Sequence, residues 1–149
     1  MRLKNIILLL LSFSFFFGLA QAPGETCYSA TTLTLPTVVG SSITTGVQST
    51  LNLADDYPAG TYCISNNYGD GYDGVYKITV TNEGDYTFRF LSSGMSWKVL
   101  SIHNGCPISS ANCVGGVTTG FDTDGSATYE VTPGTYYLVV DSWPSPIGG

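Results

Sequence analysis

Positive charge is what this sequence of 149 residues has least of: five Lys and Arg against eleven Asp and Glu, with one histidine, His103. Two of the five, Arg2 and Lys4, form a basic lead to the apolar run Ile6 to Phe17. Gly18-Leu19-Ala20 then places small residues before a cut. That order reads as a secretory signal peptide over residues 1–20, cleaved after Ala20. The apolar run is too short for a membrane span of about 20 residues, so the mature chain is expected not to be membrane-embedded. Lys77, Arg89 and Lys98 then remain as the basic residues, and the formal charge moves from −6 to about −8. Such a surface repels a phosphate backbone, which excludes nucleic acid as a partner. The sequence also lacks a helical apolar period, an internal repeat and a Cys-x-x-Cys pair. The last absence argues against a zinc or thioredoxin-like centre.

What is present is β-patterned. Tyr76, Ile78 and Val80 alternate with Lys77 and Thr79, and Tyr86, Phe88 and Phe90 alternate with Thr87 and Arg89. This is the period of half-buried strands. Asn82-Glu83-Gly84 between them predicts a hairpin. Further strands are expected at Thr31 to Leu35, at Val38 to Thr45 as a bulged or edge strand, and at Trp97 to His103 with Leu100 and Ile102 inward. Two more are expected at Ala127 to Val131 and, after Pro133-Gly134, along Tyr136, Leu138 and Val140. Gly115 to Gly125 reads as a polar, glycine-rich connection. Short strands at this spacing predict an all-β fold, an antiparallel β-sandwich of jelly-roll type, formed by one domain over residues 21–149. Four cysteines in an exported chain point to disulfides, with three possible connectivities. The short loop between Cys106 and Cys113 favours that pair and leaves Cys27 with Cys63.

Asp55 to Gly74 is the longest loop-like stretch, rich in Asp, Asn, Gly and Tyr. Loops on a rigid sheet commonly carry function. Three chemistries are open to it. A hard cation takes six to eight oxygen ligands, and Asn66 to Asp73 supplies side-chain oxygens with glycines between them. Calcium is thus a candidate cofactor, with Asp70 and Asp73 joined by Glu25 and Asp141 if the chain ends fold back together. Flat aromatic faces serve as anchors for sugars or proteins, and Tyr68, Tyr72 and Trp143 are the candidate binding residues. Trp97, beginning a strand, reads as a plug of the sandwich. Catalysis would need a base touching a nucleophile and oriented by a third group. His103 reads instead as a solvent-facing loop histidine, and no catalytic residue is assigned.

Gly24-Glu25-Thr26-Cys27, Asp73-Gly74-Val75-Tyr76, Asn104-Gly105-Cys106 with Cys113, and Gly134 to Asp141 (Gly-Thr-Tyr-Tyr-Leu-Val-Val-Asp) together resemble the bacterial pre-peptidase C-terminal domain. That family is similar to the collagen-binding modules of secreted collagenases. The resemblance implies a non-catalytic β-sandwich attached to a larger exported protein, often a peptidase, and calcium held by acidic loop residues in some relatives. It also implies polysaccharide or extracellular protein as ligand, and a further strand after the Asp141 region, of which Gly148-Gly149 is all that this sequence contains. The functional expectation is a secreted accessory or adhesion module, with other domains of the same protein as neighbours. The alternatives are a calcium-dependent carbohydrate-binding module and a small secreted hydrolase.

Overall fold

The computed structural model describes residues 23–143, except 47, 65–67, 70, 92–96, 108–111 and 121–122. The predicted leader, Asn66, Asn67, Asp70 and the C-terminal residues 144–149 lie outside the described residues.

The chain folds as two facing β-sheets. Strands β1 (Thr31–Leu33), β2 (Gly74–Val80), β3 (Gly84–Phe90), β4 (Trp97–Asn104), β5 (Cys113–Thr119), β6 (Gly125–Val131) and β7 (Gly134–Trp143) follow in order, with one 3-10 turn at Ala59–Thr61. The larger sheet runs β1-β2-β7-β4-β5 and the smaller pairs β3 with β6. All strand pairs are antiparallel except β1 with β2, which is parallel. Among the described residues no helix is long and apolar enough to cross a membrane.

The expected hairpin is not formed. β2 pairs with β1 and β7, whereas β3 pairs with β6, so Asn82-Glu83 carries the chain from one sheet to the other. Alternation identifies a strand and its apolar face but not its partner. Both strands present large apolar faces, and stacking those faces across the sandwich buries both. Tyr76, Ile78 and Val80 of β2 thus meet Phe88 of β3 in one core with Leu100, Ile102, Val117, Val131, Tyr136 and Leu138. Each such apolar side chain, fully buried, contributes about 1.5–3 kcal/mol. Pro133 marks a second crossing, from β6 to β7, and the Tyr136 hydroxyl closes it by donating to the Thr132 carbonyl at 2.8 Å.

Two other segments depart from expectation. Val38 to Thr45 is a bend and turn with no strand, and it is mostly exposed. The stretch read as a glycine-rich connection contains most of β5. Its glycines serve close packing: a Cβ on Gly115 would lie 2.2 Å from the Tyr129 ring of the smaller sheet. Tyr129 also brackets Gly116, accepting from its N–H at 2.9 Å and donating to its carbonyl at 2.7 Å.

The disulfides join Cys27 to Cys106 and Cys63 to Cys113, which corrects the favoured pairing. Cys113 stands opposite His103 in the β4–β5 register, beneath the loop that brings Cys63. Cys106 instead follows Gly105, whose positive φ of 99° turns the chain toward Cys27. Nearness in sequence is a poor guide where a strand begins between two cysteines. Spanning 79 and 50 residues, these bridges each restrict the unfolded chain by about 4 kcal/mol in the chain-entropy account.

Candidate functional site

The outer face of the large sheet, turned away from the main core, carries the groups of interest. The β4–β7 register sets four rows across it: Trp97 with Trp143, Val99 with Asp141, Ser101 with Val139, and His103 with Tyr137. The alternate residues, from Lys98 with Ser142 to Asn104 with Tyr136, face the smaller sheet.

The described residues between 54 and 74 fold over this outer face and form a second core, in which Tyr57, Tyr62 and Tyr68 pack on Val75, Val99 and Val139. Two buried carboxylates hold that cover in place. Asp73 Oδ2 accepts the N–H groups of Asp56 and Tyr57, both at 2.7 Å, and its Oδ1 accepts the Tyr62 hydroxyl. Asp141 Oδ2 accepts the Gly69 N–H at 2.7 Å, and its Oδ1 accepts the Ser142 N–H at 2.5 Å. Gly69 is required there: its φ is 112°, and a Cβ would meet the Ala59 nitrogen at 2.2 Å. Buried donors and acceptors must be paired, so two aspartates on the sheet fix the path of an otherwise irregular loop.

Burial raises the Asp73 pKa to about 7, against the lowering effect of the Tyr62 hydroxyl and the two N–H donors, with Asp141 adding to the rise. Asp141 is raised as well, by burial first and by nearby Asp55 among lesser causes. The phenols respond in the same direction: burial and the negative field of Asp73 and Asp141 raise Tyr62, while Tyr57 and Tyr68 are raised chiefly by burial.

The proposed calcium ligands fare unequally. Asp73 and Asp141 are brought to one end of the sheet. Glu25 is exposed and accepts the Ala54 N–H through Oε1 at 3.0 Å. Asp70 lies outside the described residues. A calcium shell takes six to eight oxygens, yet all four oxygens of the central pair already accept hydrogen bonds from the chain. No three carboxylates converge among the described residues.

His103 is wholly buried rather than solvent-facing. Its Nε2 lies 2.9 Å from Ser101 Oγ and its Nδ1 lies 3.2 Å from Asn112 Oδ1. The order hydroxyl, imidazole, amide oxygen is that of a nucleophile, a base and its orienter. It is sealed, however. Ser101 is also fully buried, and its Oγ accepts the Cys63 N–H at 2.9 Å. Burial lowers the imidazole pKa, favouring the neutral ring. Cys63, His103 and Cys113 bring three metal-ligating atoms within 4.8 Å of one another, but the two sulfurs are bonded to each other. The result is a disulfide resting on a neutral imidazole.

The aromatic candidates are redistributed. Tyr68 is buried at 5% exposure and belongs to the second core, and Tyr72 is half-buried. Trp143 is exposed as expected, at 44%, and Trp97 is exposed at 50% rather than plugging the sandwich. A signal for this stood in the sequence. Trp97 is out of phase with inward Leu100 and Ile102, and Trp143 is out of phase with Tyr136, Leu138 and Val140. Period two therefore puts both indoles on the outer face. A further depression of about 320 Å3 lies beside the Cys27–Cys106 bridge, between Tyr28, Tyr57, Pro58 and Pro107.

Comparison of the chain with protein-family models, with curated proteins and with solved structures returned no match.

Proposed function

We propose that this chain is a non-catalytic binding module of the secretory pathway that attaches or supports a larger exported protein on its substrate or at the cell surface. The observation carrying this reading is the tryptophan pair: two indoles opposite one another on paired strands, both about half exposed. Apolar rings of that size are usually withdrawn from water, and exposed aromatic groups on a rigid frame are typical contact anchors. The frame here is cross-linked twice, as suits an oxidising compartment, and it accords with the accessory role that the sequence resemblance implies.

The competing reading, a small hydrolase, would rest on Ser101, His103 and Asn112. Against it, no substrate atom reaches a serine that is fully buried and already accepting a backbone N–H.

One experiment separates the two. The secreted chain is incubated with insoluble polysaccharides and with fibrillar collagen, and in parallel with casein and soluble glycans under turnover assay. Retention on a solid phase without turnover is the expected result. Turnover abolished by Ser101→Ala would overturn the module reading in favour of the hydrolase.

A further inference from the structure

From the chemistry around the tryptophan pair we infer the ligand class: a neutral polysaccharide, stacked sugar ring by sugar ring across Trp97 and Trp143. This deepens the module reading and rests on it.

The pair is a platform, not two scattered rings. Directly opposed residues of an antiparallel pair stand about 4.5–5.5 Å apart at Cβ and project from the same side. The strands beneath are registered over eight consecutive residue pairs, from Trp97–Trp143 to Asn104–Tyr136. The next row is anchored by Asp141, which holds the Gly69 and Ser142 N–H groups and so fixes the backbone just before Trp143. A tryptophan has only two side-chain torsions to immobilise, so a contact on this base orders little that is not ordered already.

Charge narrows the ligand. An anionic polymer needs exposed cations. Lys98 is buried, Arg89 is paired with Asp124 at 2.8 Å, and Lys77 is half-buried on a different strand. The row next to the pair holds a carboxylate, Asp141, and exposed Asp55 acts on it through its negative charge. Carboxylates at a rim accept hydrogen bonds from hydroxyl groups. The face of a pyranose ring, a set of C–H bonds, is drawn to the electron-rich indole surface, while its hydroxyl groups point outward to such acceptors.

Extent argues against a protein as the ligand. A stable protein interface buries about 1,200–2,000 Å2 around an apolar centre. Among the described residues, Thr118, opposite Val99 and exposed, stands beside the pair on this face. Two rings beside an exposed threonine match a narrow ligand chain.

The test uses native affinity electrophoresis of the full secreted chain through gels containing hydroxyethyl cellulose, xylan or galactomannan, with polygalacturonate as the anionic arm. Solid-phase binding to collagen supplies the protein arm. The chain has two tryptophans in all, so its intrinsic emission reports the platform without a label. Expected are retardation by at least one neutral polysaccharide and a shift of emission on titration with the matching oligosaccharide. Trp97→Ala or Trp143→Ala should weaken binding tenfold or more, and Trp97→Phe, which keeps a ring, should restore part of it. The variants' melting temperatures verify folding. Binding to collagen or polygalacturonate alone, still lost with the tryptophans, would overturn the ligand class and leave the module reading standing. Neutral-glycan binding indifferent to both tryptophans would overturn the site. Retention by none of the polymers would overturn the inference, and turnover in the parallel assay would remove the module reading as well.

Discussion

Lys98 shows how far one residue can stand outside the pattern that surrounds it. It alternates with Trp97 and Val99, and its side chain falls on the inner face between Ser142 and Thr119. There it is 2% exposed, and among the described residues neither its Nζ nor the neighbouring Thr119 Oγ1 has a hydrogen-bond partner. An unpaired buried polar group costs about 1–3 kcal/mol, and more when charged. Lys98→Met, which keeps the length of the stem and removes the ammonium, should therefore raise stability by about 1–3 kcal/mol. Urea unfolding measures it directly, and a destabilised variant would mean that the ammonium finds a partner in solution. Composition marks Lys98 as one of five basic residues but assigns it no environment. Its inward phase was readable from Leu100 and Ile102, whereas the missing partner is a property of the assembled end of the sandwich.

At the level of elements, the loop of residues 54–74 is held by three different kinds of bond. They are the Cys63–Cys113 bridge, the Asp73 and Asp141 hydrogen bonds, and the burial of Tyr57, Tyr62 and Tyr68 against the sheet. The pairing is directly checkable. Non-reducing peptide mapping should recover Cys27 linked to Cys106 and Cys63 linked to Cys113. A Cys106–Cys113 peptide would require the turn after β4 to face the other way. Replacing Cys63 and Cys113 together by Ser should speed proteolysis within residues 54–74 well before it affects β4 or β7, because loop closure is lost while the central strands keep their pairing. The strand pattern was largely legible: β2, β3, β4, β6 and β7 coincide with alternating runs. β5 was not, because Gly115 and Gly116 break the alternation for the sake of contact with Tyr129 and the Leu100 carbonyl. Close approach between sheets selects glycine, and glycine reads as a loop.

For the whole molecule, the buried acid pair ties stability to pH in an unusual sense. Asp73 has a folded pKa of about 7 against an ordinary value of 3.8, because burial disfavours its charge. The folded form thus binds this proton more tightly than the unfolded one. The associated stability is fully present below about pH 4 and is lost as pH rises through about 7. Asp141, raised for the same reason, acts in the same direction. The melting temperature should accordingly fall between pH 4 and pH 7.5. Asp73→Asn keeps an acceptor for the Asp56 and Tyr57 N–H groups and has no charge to bury, so it should flatten that slope. A wild-type melting temperature that climbs over this interval would mean that the pair ionises at little cost.

Alternation, turn residues and cysteine content determined by themselves that this is an all-β chain cross-linked by disulfides. They also determined which residues of each strand share a face, since a period of two is a local property of extended backbone. Only the tertiary structure decided which strands pair, which cysteines meet, and what lies on the outer face. The run from Asp73 to Phe90 does not say that β2 and β3 belong to opposite sheets. Nor does the distance from Trp97 to Trp143 in the chain say that their strands lie side by side. Partner choice depends on how all the apolar faces can be buried at once, and that is a property of the assembled sheets rather than of any one segment.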